Sequence, residues 1–246
     1  TEIAVRNNLT VINVYNKKNT KSKLITQLLY GESFKIIKKN GIWIKIKNDL
    51  DGYKGFIIKK NFSTKQKNTH KICNLSATLY SKSGIKIKKK LSFGSKIKVI
   101  KKKNNFLKFD NFWIKKKDLR EINYKKKDIF KNIKKFRGIK YKWGGKHYTG
   151  IDCSGLVQLF FNFNNKFCPR DTKDQIKYFK KKIELKNIRK NDLIFWKGHV
   201  AIAISKHNLI HAYGPLGKTI IMPIKKTIVR IYKTTKLKII GIRRIV

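Results

Sequence analysis

"YKWGGKHYTGIDCSGLVQLFF" (residues 141–161) is the stretch on which the reading of this chain turns. Elsewhere lysine, isoleucine and asparagine dominate, whereas here three glycines lead into Asp152, Cys153, Ser154 and Gly155 and then an apolar run. Aspartate is a strong N-cap, so the spacing predicts a helix that begins at Cys153 and buries Leu156, Val157, Leu159 and Phe160. A thiol in the first turn feels the positive end of the helix dipole and unpaired backbone N–H groups, both of which favour thiolate. Gly144, Gly145 and Gly150 let the incoming chain pass without side chains in the way. The expectation is a cysteine presented in a cleft as a nucleophile rather than one more inert core thiol.

A thiol nucleophile needs a base, and the base needs a partner that orients it. Strands are expected at "DLIFW" (192–196), "HVAIAIS" (199–205) and "NLIHAYG" (208–214), and the last two carry His199 and His211. His199, Ala201 and Ala203 share one face, where the small alanines leave room for a helix or a cleft. A hairpin with a five-residue loop, pairing 203 with 209, sets both histidines on that face. They are then diagonal neighbours about 7–8 Å apart between backbones. A loop one residue shorter would separate them. His207 is expected in the turn, His70 in a linker and His147 in a loop.

The first 120 residues read differently. Short runs such as "SFKIIKK", "IWIKIK" and "KGFIIKK" alternate with the two-residue period of half-buried strands. They also repeat: "YGESFKIIKKNGIWIKI" (30–46) aligns without gaps to "FGSKIKVIKKKNNFLKF" (93–109), matching Gly31 to Gly94, Phe34 to Ile97 and Ile44 to Leu107. Two copies of a unit about 60 residues long imply two small all-β barrels in tandem. The copies differ in that Glu32 stands where the second has Ser95, and the first alone carries "DGYKG" (51–55) with Tyr53. In a chain with 13 acidic residues Glu32 and Asp51 invite notice, although both also suit ordinary turns. After residue 121 helical spacing appears in "KKDIFKNIKKF" (126–136), through Ile129, Phe130, Ile133 and Phe136. The expected architecture is therefore α+β: all-β domains over 1–62 and 63–120, then an α+β domain over 121–246.

A formal charge of +49 raises the question of a nucleic-acid partner. Of 62 basic residues only eight are arginine, and the lysines scatter over strands and loops alike. Readers of nucleic acid favour the arginine fork, so solvated lysine faces, as in an AT-rich genome, are the expectation and no dedicated nucleic-acid surface is assigned. Three well-separated cysteines (Cys73, Cys153, Cys168) argue against a disulfide framework and a zinc site, and fit a reducing compartment such as the cytoplasm. No stretch is long and apolar enough to span a bilayer. "TEIAVRNNLT" lacks the pattern of a secretory signal, while a removed leader, with a periplasmic or secreted location, stays open.

The phrases "YKWGG…GIDCSGLVQ", "NDLIFWKGHVAIAI" and "LIHAYG" resemble the NlpC family of papain-like bacterial cell-wall cysteine peptidases, over most of 128–232. The units ahead of them resemble bacterial SH3-like domains. Together with "QLLYGE" (27–32) they are similar to the branch that acts as dipeptidyl peptidases on the γ-D-glutamyl–diamino acid bond of free stem peptides. The resemblance implies Cys153 as nucleophile, His199 as general base, His211 as the residue orienting it, and Tyr141 beside the Cys153 backbone N–H in the oxyanion site. It further implies that Asp152 and Ser154 contact the substrate's free α-amine, with Glu32 and Tyr53 closing the same pocket. Arg170, in "PRDTKDQ", resembles another family phrase but receives no role.

The expected activity is hydrolysis of the γ-D-glutamyl–diamino acid bond in murein peptides with a free N-terminal L-Ala, as in the recycling of wall fragments. No metal or cofactor is called for, and the oligomeric state is left open. Two other readings stand beside it: an endopeptidase or amidase on intact peptidoglycan, and a non-catalytic SH3-like protein that binds wall polymer or polyanion.

Overall fold

The computed structural model describes residues 4–82 and 84–245; residues 1–3 and 246, the ends of the expected domains, lie outside the described residues. The chain divides into two compact units. One takes in the chain as far as Lys125 together with Gly144–Tyr148, and the other comprises Lys126–Trp143 and the chain from Thr149 onward. The boundary expected at 120/121 thus falls a few residues later, and the segment 144–148 groups with the N-terminal unit.

In the N-terminal unit each repeat builds its own core. The first forms an antiparallel sheet ordered Leu24–Leu29, Val11–Tyr15, Lys54–Ile58, Trp43–Asn48, Ser33–Asn40, Ala4–Arg6, Ser63–Thr64. The alternation read in "IWIKIK" is real: Ile44 and Ile46 are buried beside Val14, Leu28, Phe34 and Ile57, while Lys45 and Lys47 are exposed. The second repeat splits the same pattern between a five-stranded and a three-stranded sheet around Ile72, Leu79, Leu91, Ile97, Leu107, Phe109 and Ile114. Gly31 and Gly94, aligned by the repeat, both adopt positive φ, +79° and +83°, the turn conformation that glycine takes most readily.

One residue of the first repeat crosses into the second core. Tyr30 packs edge-on against Phe109, with centroids 5.5 Å apart, and its hydroxyl bonds to Asp110. Arg6 clamps the same carboxylate at 2.8 and 3.0 Å. His70, expected in a linker, lies in the strand His70–Ile72. The lysines are mostly solvated, with two exceptions: Lys71 and Lys146 are fully buried. Lys71 donates to the Tyr124 carbonyl at 2.6 Å, and burial pushes its ammonium down to about 8.

The C-terminal unit is α+β. A six-stranded antiparallel sheet runs Lys181–Lys182, Gly241–Arg244, Leu193–Trp196, His199–Ala203, Asn208–Tyr213, Lys218–Pro223. Helix α1, Cys153–Phe163, begins where the sequence predicts, but it is buried on every side rather than along one stripe. Two further helices, α2 (Thr172–Tyr178) and α3 (Ile224–Thr235), were not foreseen.

The expected helix at 126–136 does not form; a 3-10 turn at Ile133–Phe136 replaces it. Asn132 takes a left-handed conformation (φ +73°), which breaks the helical path, and Asp128 is held by Lys190 and Asn191. The apolar spacing nonetheless has its use. Ile129, Phe130, Ile133 and Phe136 are buried, with Phe130 and Phe136 packed on Phe160 of α1 at 5.8 and 5.2 Å. Asn164, at the C-cap of α1, ties the segment down through the Lys126 N–H and the Ile129 carbonyl.

Candidate active site

All the chemistry-bearing residues of this site lie in the C-terminal unit. Asp152 caps α1 from an extended conformation, its carboxylate accepting the Gly155 N–H at 2.7 Å. Cys153 follows as the first helical residue, and its sulfur lies within hydrogen-bonding reach of the Ser154 and Val200 backbone N–H groups. Val200 adjoins His199, so the head of α1 meets the strand that carries the first histidine.

The hairpin has the register that joins the histidines. Ile202 pairs with Ile210 and Ala203 with Leu209, which leaves His199 diagonal to His211. His199 Nε2 and His211 Nδ1 are 2.8 Å apart. With Nε2 engaged, Nδ1 is the ring nitrogen of His199 left to take a proton. Tyr213 stacks flat on His211, centroids 4.6 Å apart and planes 11° apart, and Trp196 lies 5.7 Å from His199. These rings fix the imidazoles from the side. Ala201 and Ala203 do make room on the histidine face, but for a core cluster that includes Trp196, Tyr213 and Ile224 and Ile231 of α3.

Burial reverses one electrostatic expectation. It outweighs the head of the helix and pushes the Cys153 thiol up to about 12, with the Asp152 charge adding to the rise; the Val200 and Ser154 N–H groups and Arg170 oppose it. Burial likewise pushes His199 down to about 4, and His211 down to about 2 with His199 contributing. The resting pair is therefore neutral thiol and neutral imidazole. A thiol in this state would need a general base to take its proton before it could act as a nucleophile.

Tyr141 is held beside the strand that leads to Cys153: its N–H donates to the Gly217 carbonyl at 2.8 Å and it bridges to Ile151. Its ring lies so close over Gly214 that a Cβ there would sit 3.4 Å from it. Burial, then the nearby Cys153 and Asp152, raise the phenol well above its ordinary range, so it stays an O–H donor.

Arg170, left without a role by the sequence, turns out to organise the site. Its guanidinium forks onto Asp152 at 3.0 and 2.7 Å and donates to the Ser154 hydroxyl at 2.9 Å, with all three residues buried. Gln158 and Gln175 bind the Cys168 and Pro169 carbonyls, and Gln175 also binds the Ser154 carbonyl, fixing the segment that delivers the arginine. The available signal was its scarcity, an arginine where the chain almost always writes lysine.

The remaining candidates lie in the N-terminal unit or away from the pair. Glu32 is buried and ion-paired to Lys146 at 3.1 Å. Tyr53 is half-buried, its N–H donating to the Asp51 carboxylate at 3.0 Å. His147 is buried, and His207 is exposed in the turn.

Residues 138–235 match the NlpC/P60 family, and residues 10–63 match the bacterial SH3 domain. The chain is 26% identical over 228 residues to the gamma-D-glutamyl-L-lysine dipeptidyl-peptidase of Bacillus cereus, covering 78% of this chain and 68% of that protein. It is 38% identical over 72 residues to dipeptidyl-peptidase 6 of Lysinibacillus sphaericus; that match covers 29% of this chain and spans only 27% of the relative's length. The crystal structure of an NlpC/P60 family protein from Bacillus cereus shares the fold with a TM-score of 0.82 at 19% identity, over 98% of this chain and 99% of that one.

Proposed function

The chain carries an NlpC/P60 family domain behind a bacterial SH3 domain, and from that premise we propose that it is a cysteine peptidase cutting the γ-D-glutamyl–diamino acid bond of peptidoglycan stem peptides. The observation that carries this reading is the meeting of Cys153, at the head of α1, with the strand bearing the His199–His211 pair at 2.8 Å. The name of the Bacillus cereus relative, a gamma-D-glutamyl-L-lysine dipeptidyl-peptidase, supports the choice of bond.

In this mechanism Cys153 Sγ attacks the amide carbonyl while its proton passes to His199 Nδ1. The Tyr141 hydroxyl and the Cys153 backbone N–H receive the oxyanion of the tetrahedral intermediate. Collapse breaks the C–N bond, and His199 returns the proton to the departing amine of the diamino acid. A thioester remains. Water, deprotonated by His199, then attacks it and releases the γ-carboxylate of the glutamyl product together with the free thiol. His211 keeps the base in its working tautomer through the Nδ1···Nε2 contact. Asp152 and Ser154, set by Arg170, are the groups assigned to the substrate's α-ammonium.

The test is mass spectrometry of L-Ala-γ-D-Glu-L-Lys and of its meso-diaminopimelate counterpart, incubated with wild type and with Cys153→Ala. N-acetylated copies run in parallel. Release of L-Ala-D-Glu by wild type alone, with the acetylated peptides spared, is the expected result. Cleavage of acetylated and free peptides alike would convert the reading to an endopeptidase. Release by the Cys153→Ala protein would overturn the assignment of the nucleophile.

A further inference from the structure

A cavity of about 1120 Å³ opens in the second SH3-like repeat, lined by none of the residues given a role in the peptidase site. Phe106, Leu107, Leu119 and Tyr124 supply the apolar part of its lining. Into the same space come Lys115, Lys116, Lys117 and Arg120, against the carboxylate of Glu121. An apolar pocket with a few convergent polar groups is the usual form of a small-molecule site, and this one is large enough for a ligand of that class.

The lysine load of the chain does not by itself account for these groups, because the repeat supplies an internal control. In the first copy Val5 pairs with Phe34 and Thr64; in the second His70 pairs with Ile97 and Glu121. Phe34 and Ile97 are equivalent, so His70, also in the cavity lining, stands where the first copy has Val5, and Glu121 where it has Thr64. By the same registers Arg120 stands in place of Ser63. Lys115, paired with Phe106, stands in place of Ile58, paired with Trp43. Four positions that are neutral in the first copy are thus charged or titratable in the second, and all four line the cavity.

The walls are held in place. Lys115 Nζ lies 5.9 Å from the centre of the Tyr80 ring, which packs edge-on against Phe106 at 5.0 Å. The Arg120 guanidinium lies 5.8 Å from the centre of the Tyr124 ring, and the buried Lys71 ammonium donates to the Tyr124 carbonyl at 2.6 Å. The turn Lys116–Asp118 is fastened by the Lys116 N–H on the Asn105 carbonyl at 2.8 Å and the Asn74 amide on Asp118 at 2.7 Å. Cations set beside aromatic faces suit a ligand that brings a negative group and a flat body together, and an arginine among lysines suits phosphate. We propose that the second SH3-like repeat binds a phosphate ester with an aromatic or heteroaromatic body, its ring against Phe106 and Tyr124 and its phosphate on Arg120 and Lys115. The site lies wholly in the N-terminal unit and does not depend on the peptidase reading.

Isothermal titration calorimetry of the full chain tests it, at about 0.15 M salt so that diffuse surface charge is screened. The probes are 1-naphthyl phosphate, adenosine monophosphate and inorganic phosphate. At least one aromatic phosphate should bind about tenfold tighter than inorganic phosphate or better, because ring and charge are read together. The tighter of the two says whether the body is a nucleoside or a plainer ring. Arg120→Gln and Tyr124→Ala should each weaken that binding about tenfold. Both side chains are exposed, so the unfolding midpoints of these variants should stay at the wild-type value, and if one variant fails to fold the other decides. The control is Lys101→Gln/Lys102→Gln/Lys103→Gln, which removes three exposed charges outside the cavity and should leave affinity within about threefold. Inorganic phosphate binding as tightly as the aromatic esters, or a control as weak as Arg120→Gln, would reduce the site to general positive charge and overturn the proposal. Failure of both aromatic phosphates to bind would overturn it outright.

Discussion

Replacing Arg170 with methionine is the most informative perturbation of the site. The substitution removes a fork of 3.0 and 2.7 Å onto Asp152 and a 2.9 Å bond to Ser154, and leaves a buried carboxylate beside Cys153 without its counter-charge. Breaking a buried pair by deleting one partner costs about 3–5 kcal/mol. For a chain of this length that is a fall in unfolding midpoint of roughly 10 °C. The catalytic effect has its own direction. Arg170 opposes the rise of the Cys153 thiol, which Asp152 promotes, so its loss makes the proton harder to remove. The effect should therefore appear as a lower kcat/KM on top of any loss of stability. Two companions separate charge from shape. Arg170→Lys keeps the charge but loses the fork, and should cost about 1–2 kcal/mol. Arg170→Met/Asp152→Asn removes both charges, while asparagine still caps α1, and should recover more than half of the lost stability. Differential scanning calorimetry and steady-state kinetics on the four proteins measure both effects. An Arg170→Met midpoint within about 2 °C of wild type would refute the electrostatic argument, because a deleted buried partner cannot be that cheap.

Two more outcomes follow from the same geometry. With His199 pushed down to about 4 and the Cys153 thiol up to about 12, kcat/KM should hold steady from neutral pH downward and fall as pH passes through about 4; an acid limb centred near 6.5 would contradict the buried base. Because His199 and His211 titrate lower folded than unfolded, where a histidine sits near 6.5, the unfolded chain takes up more protons, and stability should drain away as pH falls from about 6.5 toward 4. A urea midpoint flat over that range would show otherwise. His211→Ala should lower kcat by about 10²-fold with little change in KM, and His211→Asn, which keeps an acceptor for His199, should retain more activity; equal losses would remove the orienting role.

Local patterns in the sequence carried far. Asp152 before Cys153 specified the start of α1, because a side-chain cap is a property of four consecutive residues. The alternation in "IWIKIK" and the glycines that begin each copy specified the all-β half, since the strand period and left-handed turns are equally local. Even the hairpin register followed from a choice between two loop lengths, decided by which one leaves both histidines on one face. Where the sequence misled, long-range packing had overridden a local signal. The helical spacing of Ile129, Phe130, Ile133 and Phe136 serves a turn that packs on α1, broken by Asn132 and fastened by Asp128. The β-branched residues of α3 hid a helix whose Ile224 and Ile231 are called inward by the sheet.

What the chain alone determined, then, is the inventory: a capped cysteine, two histidines in phase, and a repeated β unit ahead of them. Tertiary structure decided the charges. Whether Cys153 rests as thiol or thiolate depends on how much water the fold removes from it, and desolvation in this site exceeds what one helix terminus supplies. Which cation each buried carboxylate meets likewise depends on partners distant in sequence, Arg170 for Asp152 and Lys146 for Glu32. Spacing in a sequence fixes neighbours along a strand or a helix turn, but burial and ion pairing are sums over everything that folding brings near.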